Sequence, residues 1–264
     1  MRNNHEIDYR IFGEEMQYVE IELDPQETAI AEPGSFMMMD DGIQMDTLFG
    51  DGSQQQGGLL NKLFSAGKRM LVGENLFVTA YTNIAYGKKR VSFASPYPGK
   101  IIPLDLQLLG NRVICQKDAF LCAAKGVSIG IEFSKKLGTG LFGGEGFIME
   151  KLEGDGMAFV HAGGHVLRRE LAPGELIKID TGCIVAFTSG VNYDIQFVGG
   201  IKNSLFGGEG VFYATLQGPG SVWIQTLPIS RLAGRILRYG SSGSRKEEGS
   251  ILGGLGNLLD GDGY

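Results

Sequence analysis

Residues 141–160 and 205–224 are one stretch written twice, 64 residues apart and without a gap. Nine of the twenty positions are identical, beginning with Leu-Phe-Gly-Gly-Glu-Gly in both copies. Most of the other positions exchange one strand-forming residue for another. An ungapped self-match of this length marks a repeated structural unit. The unit reads as a glycine-rich turn, a strand, a tight turn at Gly154-Asp155-Gly156 or Gly218-Pro219-Gly220, and a return strand. Glycine makes up 42 of the 264 residues and clusters between short Val, Ile, Phe and Tyr runs, the pattern of an all-β chain with many turns.

Two further signals recur. Gly-Glu pairs end at Glu74, Glu145 and Glu209. A Pro-Gly turn, a short apolar strand and an aspartate follow one another from Pro33 to Asp40, Pro98 to Asp105 and Pro173 to Asp180, each over seven residues. Aspartate suits a turn because its carboxylate accepts nearby backbone N–H groups. The signals interleave as Pro33, Glu74, Pro98, Glu145, Pro173, Glu209. They divide the chain into N-terminal strands with a partial copy near Gly13 (1–32) and modules at 33–97, 98–172 and 173–239. A Gly/Ser-rich tail occupies 240–264. The first module carries an insertion at 47–70, with a loop over 50–58 and helical turns near Leu59, Leu60, Leu63 and Phe64. Strands are predicted at Tyr18–Leu23, Thr28–Ala31, 112–116, 119–124, 184–188 and 193–198. Residues 229–239 read as a short helix or an edge element. The leucines of the tail are expected to dock on a neighbour.

Ser-Leu-Phe-Gly-Gly-Glu-Gly (204–210), Gln-Gly-Pro-Gly-Ser-Val-Trp-Ile-Gln-Thr-Leu-Pro (217–228), Ala-Ser-Pro-Tyr-Pro-Gly-Lys-Ile (94–101) and Ala-Phe-Thr-Ser-Gly-Val-Asn-Tyr-Asp (186–194) resemble the altered-inheritance-of-mitochondria family. The likeness covers about residues 5–235. It implies an all-β fold of three tandem short double-stranded β-helix modules, with short helices at most in the insertion and near the C-terminus. Each module is similar to a subunit of the tryptophan RNA-binding attenuation protein (TRAP-like). The resemblance also implies a homotrimer in which nine modules close a ring, and no family-wide enzyme activity. Mitochondrial relatives are linked to inner-membrane organisation, which is not expected to transfer to a bacterial-looking chain without a transit segment.

No catalytic constellation is readable. Glu74, Glu145 and Glu209 read as turn carboxylates accepting backbone N–H bonds, against the alternative of three carboxylates converging on a ligand. His161 and His165 flank Gly163-Gly164 and read as turn histidines, since a metal pair needs a third ligand. Leu-Phe-Gly-Gly-Glu-Gly lacks the Gly-Lys-Ser/Thr ending of a phosphate loop. Phe147, Phe159, Phe212, Tyr213 and Trp223 read as core or inter-module packing. The short clusters Lys88-Lys89-Arg90, Lys135-Lys136 and Arg168-Arg169 read as solvated turns or edge-strand guards, and a net charge of −6 argues against an extended nucleic-acid surface. Cys115, Cys122 and Cys183 read as reduced, mostly buried thiols, and no apolar run approaches a membrane span, so a cytoplasmic protein is expected.

The sequence therefore predicts a non-enzymatic oligomeric scaffold or binding protein without metal or cofactor. A small-molecule binder using inter-module clefts and an RNA binder at the ring edge are the alternatives, both by fold analogy. Open sheet edges are expected at the first strand, Tyr18–Leu23, and the last, near 221–226. The Gly13-Glu14 half-copy is expected to complete the third module of a neighbouring chain.

Overall fold

The computed structural model describes residues 4–49, 77–135, 147–198 and 211–242. Glu74, Glu145, Glu209, residues 50–70 of the insertion expected at 47–70 and residues 243–264 of the tail expected at 240–264 lie outside the described residues, while 47–49 are strand and 240–242 helix. Among the described residues the chain is all-β apart from one helix near the C-terminus and two short 3-10 turns. It divides into two compact units, Met1–Ile229 and Ser230–Tyr264.

The first unit holds nineteen strands among the described residues. A leading strand, β1 (Asp8–Phe12), precedes three sets of six. The first set is β2 (Tyr18–Leu23), β3 (Thr28–Ala31), β4 (Phe36–Met39), β5 (Ile43–Phe49), β6 (Phe77–Asn83) and β7 (Lys89–Ala94). The second is β8 (Gly99–Asp105), β9 (Arg112–Gln116), β10 (Phe120–Ala124), β11 (Ser128–Lys135), β12 (Phe147–Glu153) and β13 (Met157–Gly163). The third is β14 (Val166–Leu171), β15 (Leu176–Asp180), β16 (Ile184–Thr188), β17 (Asn192–Val198), β18 (Val211–Gln217) and β19 (Gly220–Gln225).

Within every set the pairing is the same and antiparallel. The sixth strand lies between the first and third, giving β2-β7-β4, β8-β13-β10 and β14-β19-β16. The fifth lies between the fourth and second, giving β5-β6-β3, β11-β12-β9 and β17-β18-β15. A register shift recurs where the third strand meets the sixth, at Phe36/Met38, Phe120/Cys122 and Ile184/Ala186.

Consecutive sets are sewn together by one rule: the second strand of a set pairs with the third strand of the next. β3 pairs with β10 through Ala31 and Cys122, Ile30 and Ala123, Ala29 and Ala124. β9 pairs with β16 through Cys115 and Ala186, Ile114 and Phe187, Val113 and Thr188. The six three-stranded halves thereby become four sheets, ordered β1-β2-β7-β4, β5-β6-β3-β10-β13-β8, β11-β12-β9-β16-β19-β14 and β15-β18-β17.

Three apolar clusters lie between successive sheets. Val19, Ile21 and Phe93 of the first sheet meet Ala29, Ala31 and Phe159 of the second. Ile30, Leu104 and Val160, on the second sheet's other face, meet Cys115, Leu152 and Trp223 of the third. Ile114, Met149 and Phe187 of the third meet Ile195, Ala214 and Leu216 of the fourth. The two middle sheets are covered on both faces, which is why β10 (Phe-Leu-Cys-Ala-Ala) and β16 (Ile-Val-Ala-Phe-Thr) are continuous rather than alternating apolar runs. β2 faces a cluster on one side only and alternates, Tyr-Val-Glu-Ile-Glu-Leu.

Open edges are not where the sequence predicts them. β2 is flanked by β1 and β7, and β19 by β16 and β14, so Tyr18–Leu23 and residues 221–225 are paired on both sides. In this weave the first and sixth strands are neighbours, so the ends of the strand sequence are not the ends of the sheets. The third set also pairs internally as the others do, so nothing in it awaits the Gly13 segment. Gly13 instead turns the chain between β1 and the stretch that runs beside β8, where Gly99 N–H donates to Glu15 O at 2.7 Å.

The close passage of backbones at Gly163 fixes the exit from β13. Its N–H donates to Gln225 Oε1 at 2.7 Å and its carbonyl accepts from Leu227 N–H at 3.1 Å. A Cβ at this position would run into the Leu227 carbonyl and come within 2.9 Å of the Tyr97 ring. Gly163→Ala is therefore expected to cost about 1–3 kcal/mol, as overpacking of a filled site does. Gly87→Ala, where a Cβ meets nothing within 4 Å, is the control and should melt like the parent chain. Chemical denaturation of the two variants side by side checks this, and equal midpoints would refute it.

Candidate functional site

The two seams inside the chain define what a seam needs, and two strands are left without one. Among the described residues β4, a third strand, has β7 on one side and no strand on the other. β15, a second strand, has β18 on one side and no strand on the other. Their counterparts β10, β16, β3 and β9 are buried almost throughout. Phe36, Met37, Met38 and Met39 of β4 are between 38% and 47% exposed. In β15, Leu176 is 52% exposed while Ile177 and Ile179 pack against the cluster between the last two sheets. Three consecutive methionines on a strand paired on one side only form a soft apolar edge, since Met has three rotatable bonds and a polarisable thioether. An exposed apolar edge of this kind is a template for a further strand.

The edges can be put in register without adjustment. The second and third sets are offset by 64 residues, so β15 residues 177–179 match β9 residues 113–115. The recurring register shift matches Met38 and Met39 of β4 to Cys122 and Ala123 of β10. Carrying the two internal registers across sets Met38 opposite Ile179, Met39 opposite Lys178 and Asp40 opposite Ile177.

The aspartates of the Pro-to-Asp interval sit at turns but on different strands of the set. Asp40 follows β4, a third strand; Asp105 ends β8, a first strand; Asp180 ends β15, a second strand. Arg90 N–H donates to Asp40 Oδ2 at 2.9 Å, across the ladder rather than along the chain. Leu108 N–H donates to Asp105 Oδ1 at 3.3 Å. Gly182 N–H donates to Asp180 Oδ1 at 2.9 Å, capping the 3-10 turn Thr181–Cys183. Each carboxylate satisfies one backbone donor, and the structure does not bring the three together.

The internal seams differ in chemistry. At the second, Gln225 donates to Gly182 O at 2.9 Å and accepts from Gly163 N–H at 2.7 Å, a neutral clamp with both ends used. The same place at the first seam, 64 residues earlier, holds His161. His161 is a buried residue of β13, not the turn histidine its flanking glycines suggest; only His165 is at the turn, exposed. The His161 ring packs edge-on against Tyr97 at 4.9 Å, and its Nδ1 has no hydrogen-bond partner among the described residues. Burial holds its pKa down at about 4, opposed by its bond to the Asp118 backbone.

Around it lie Glu32, beyond β3, Lys117 and Asp118 in the 3-10 turn Lys117–Ala119, and Glu150 in β12. Burial pushes the Glu150 carboxyl up to about 8, reinforced by Glu32 and Asp118 and opposed by Lys117. Burial likewise pushes Glu32 up to about 7, reinforced by Asp118 and opposed by Lys117. The Cys115 thiol is raised by burial and by both glutamates, and the Tyr97 hydroxyl by burial, Asp118 and Glu32. Among the described residues no three His, Cys, Asp or Glu side chains form a metal-ligand set. Cys115 and Cys122 are buried and Cys183 is half-buried, all as free thiols.

The basic clusters that fall on described residues serve the sheet surface. Lys88 lies 2.9 Å from Glu22 and 3.4 Å from Asp8, and Arg90 lies 3.2 Å from Glu22. Arg168 sits on the outer strand β14, 2.7 Å from Glu170 and over the Trp223 ring. Phe147, Phe159 and Trp223 are buried, and Tyr213 donates to Gln196 Oε1 at 2.8 Å.

The sign of the pH dependence follows from these shifts. Glu32 and Glu150 have folded pKa values above the ordinary 4.5, so the folded chain holds protons that the unfolded chain releases. Their contribution is complete below the ordinary 4.5, declines as pH rises above it, and is gone once pH has passed about 7 for Glu32 and about 8 for Glu150. His161 works oppositely: its lowered pKa removes stability as pH falls below the ordinary 6.5 towards 4. Thermal melts should peak in acid, fall by several degrees as pH rises from about 5 to about 8, and show no further fall from these groups beyond that. Glu150→Gln should flatten that fall between about pH 5 and about 8, and an unchanged slope there would refute the assignment.

Comparison with known proteins gives a consistent set of relatives. A family model described as mitochondrial biogenesis AIM24 matches residues 9–227. An uncharacterised protein of Streptococcus pyogenes serotype M6 is 31% identical over 225 residues, covering 84% of this chain and 86% of that one. A crystal structure of a Streptococcus pyogenes protein from a structural genomics programme matches with a TM-score of 0.68 and 25% identity, over 88% of this chain and 99% of that chain.

Proposed function

The chain belongs to the AIM24 family, described as mitochondrial biogenesis, and from that premise we propose that it is a non-enzymatic oligomeric scaffold assembled head to tail through β4 and β15. One observation carries the reading: β4 and β15, both at sheet edges among the described residues, are the two kinds of strand that the chain joins to each other twice internally. A β4 of one copy laid along β15 of the next would turn the three-stranded fourth sheet and the first sheet into one continuous sheet, like the two in the middle. It would cover the methionines of β4 as β10 and β16 are covered.

A contact between two different patches of one chain is heterologous, and it either closes into a ring or runs on as a filament. The family resemblance sets the number at three, so nine six-stranded sets would complete a TRAP-like ring. What such a ring offers other molecules is rigid presentation.

Light scattering at micromolar concentration is expected to give about three times the 28.5 kDa chain mass. Cysteines at the opposed positions give the register. The double variant Met38→Cys, Ile179→Cys should cross-link into closed multimers under mild oxidation, because cross-strand neighbours lie within disulfide reach. Each single variant should not. A monomeric mass, or cross-linking that needs only one of the two cysteines, would rule this assembly out.

A further inference from the structure

The second compact unit supplies a surface of another kind. Its one described element is a helix, α1 (Ile229–Ser242), and all but its first residue lies beyond Ile229, where the strand-built unit ends. The family match stops at residue 227, just before α1 begins. Within α1 the sequence carries Arg231, Arg235 and Arg238 and no carboxylate, in a chain whose net charge is −6; Arg245-Lys246 and Glu247-Glu248 follow beyond it.

Helical spacing sorts these residues. Positions 231, 235 and 238 succeed one another at four and three residues and share one face. Ile229, Leu232, Ala233, Ile236, Leu237 and Tyr239 fall on the opposite arc. The apolar arc is largely in solvent at its C-terminal end: Ile236 is 61%, Leu237 71% and Tyr239 79% exposed. Gly234 and Gly240 lower the intrinsic helicity, so a stable helix here gains from a surface to lie on.

We propose that α1 binds flat on a bilayer rich in anionic lipid, its apolar arc in the acyl boundary and its arginines against the lipid phosphates. The length excludes crossing. Fourteen residues span roughly 21 Å, short of the roughly 30 Å hydrocarbon core. Among the described residues no helix is long and apolar enough to cross a membrane. A strongly apolar arc beside a purely cationic face on a short helix is the arrangement of interfacial helices. The charge pattern selects the partner: a second copy of this acidic chain offers a mixed surface, whereas an anionic leaflet offers a uniform one. The inference stands apart from the ring reading, although several α1 helices on one assembly would bind with avidity.

The test uses the full chain and vesicles of two compositions. It should sediment with vesicles containing about 30% phosphatidylglycerol and not with pure phosphatidylcholine, and added salt should weaken the binding. Arg235→Glu should lower the affinity by roughly tenfold or more. Ile236→Glu with Leu237→Glu should abolish binding, with the light-scattering mass and melting midpoint unchanged. Failure to sediment with either vesicle would overturn the proposal. So would equal binding to both compositions, or binding that survives the paired glutamates. A changed mass in the paired-glutamate variant would also overturn it, by assigning Ile236 and Leu237 to a protein interface.

Discussion

The architecture depends on one hydrogen-bonded seam, that between the second strand of a six-stranded set and the third strand of the next. Each set by itself is two three-stranded halves, and each half has one interior strand and two edges. The seams at β3–β10 and β9–β16 convert four of those halves into two broad sheets and bury the strands that carry them. Burial on both faces then requires the continuous apolar composition seen at β10 and β16, and that composition makes any unseamed copy conspicuous. β4 is such a copy. Its exposed Phe-Met-Met-Met run is costly in water and cheap beside another strand.

Much of this was legible in the sequence, and the parts that were not share a cause. The 64-residue offset is real at the level of hydrogen bonds: the register shift at Phe120/Cys122 recurs at Ile184/Ala186. The all-β composition and the alternation of β2 read directly. The Pro-to-Asp interval read as a repeat too, yet Asp40, Asp105 and Asp180 close a third, a first and a second strand. Strands of similar length between turns yield such an interval wherever they stand, so spacing alone does not fix phase. The same limit misplaced the open edges. Sequence order gives which strand comes first; only the antiparallel weave tells which strand lies outermost. β1 and β14 seal the flanks of the strands suspected of being bare. For His161 the flanking glycines suggested a turn, whereas Gly163 is small because two backbones pass there.

The seams also show how one fold position can carry different chemistry. Gln225 spans its seam with a donor and an acceptor, both satisfied. At the matching place His161 keeps one nitrogen engaged at Asp118 and the other unmatched, because the Gly99 amide that would meet it is taken by Glu15 O. The N-terminal segment thus changes the seam it borders. With Glu32 and Glu150 nearby, the first seam is held by groups that favour their neutral forms, and the second by an amide that has no charge to lose.

The sharing of sheets between sets has a consequence for the chain during synthesis. β3 is complete once residue 31 has emerged, but its partner β10 follows only at residues 120–124, and the flanking strand β13 ends at Gly163. The first set therefore leaves the ribosome as two half-sheets with an unfilled edge, and more than half the chain must be made before the second sheet is whole. Contacts that distant in sequence close slowly. A nascent chain of this design holds apolar strands open through most of translation, the interval in which a holdase has the most to bind and a stalled ribosome the most to lose.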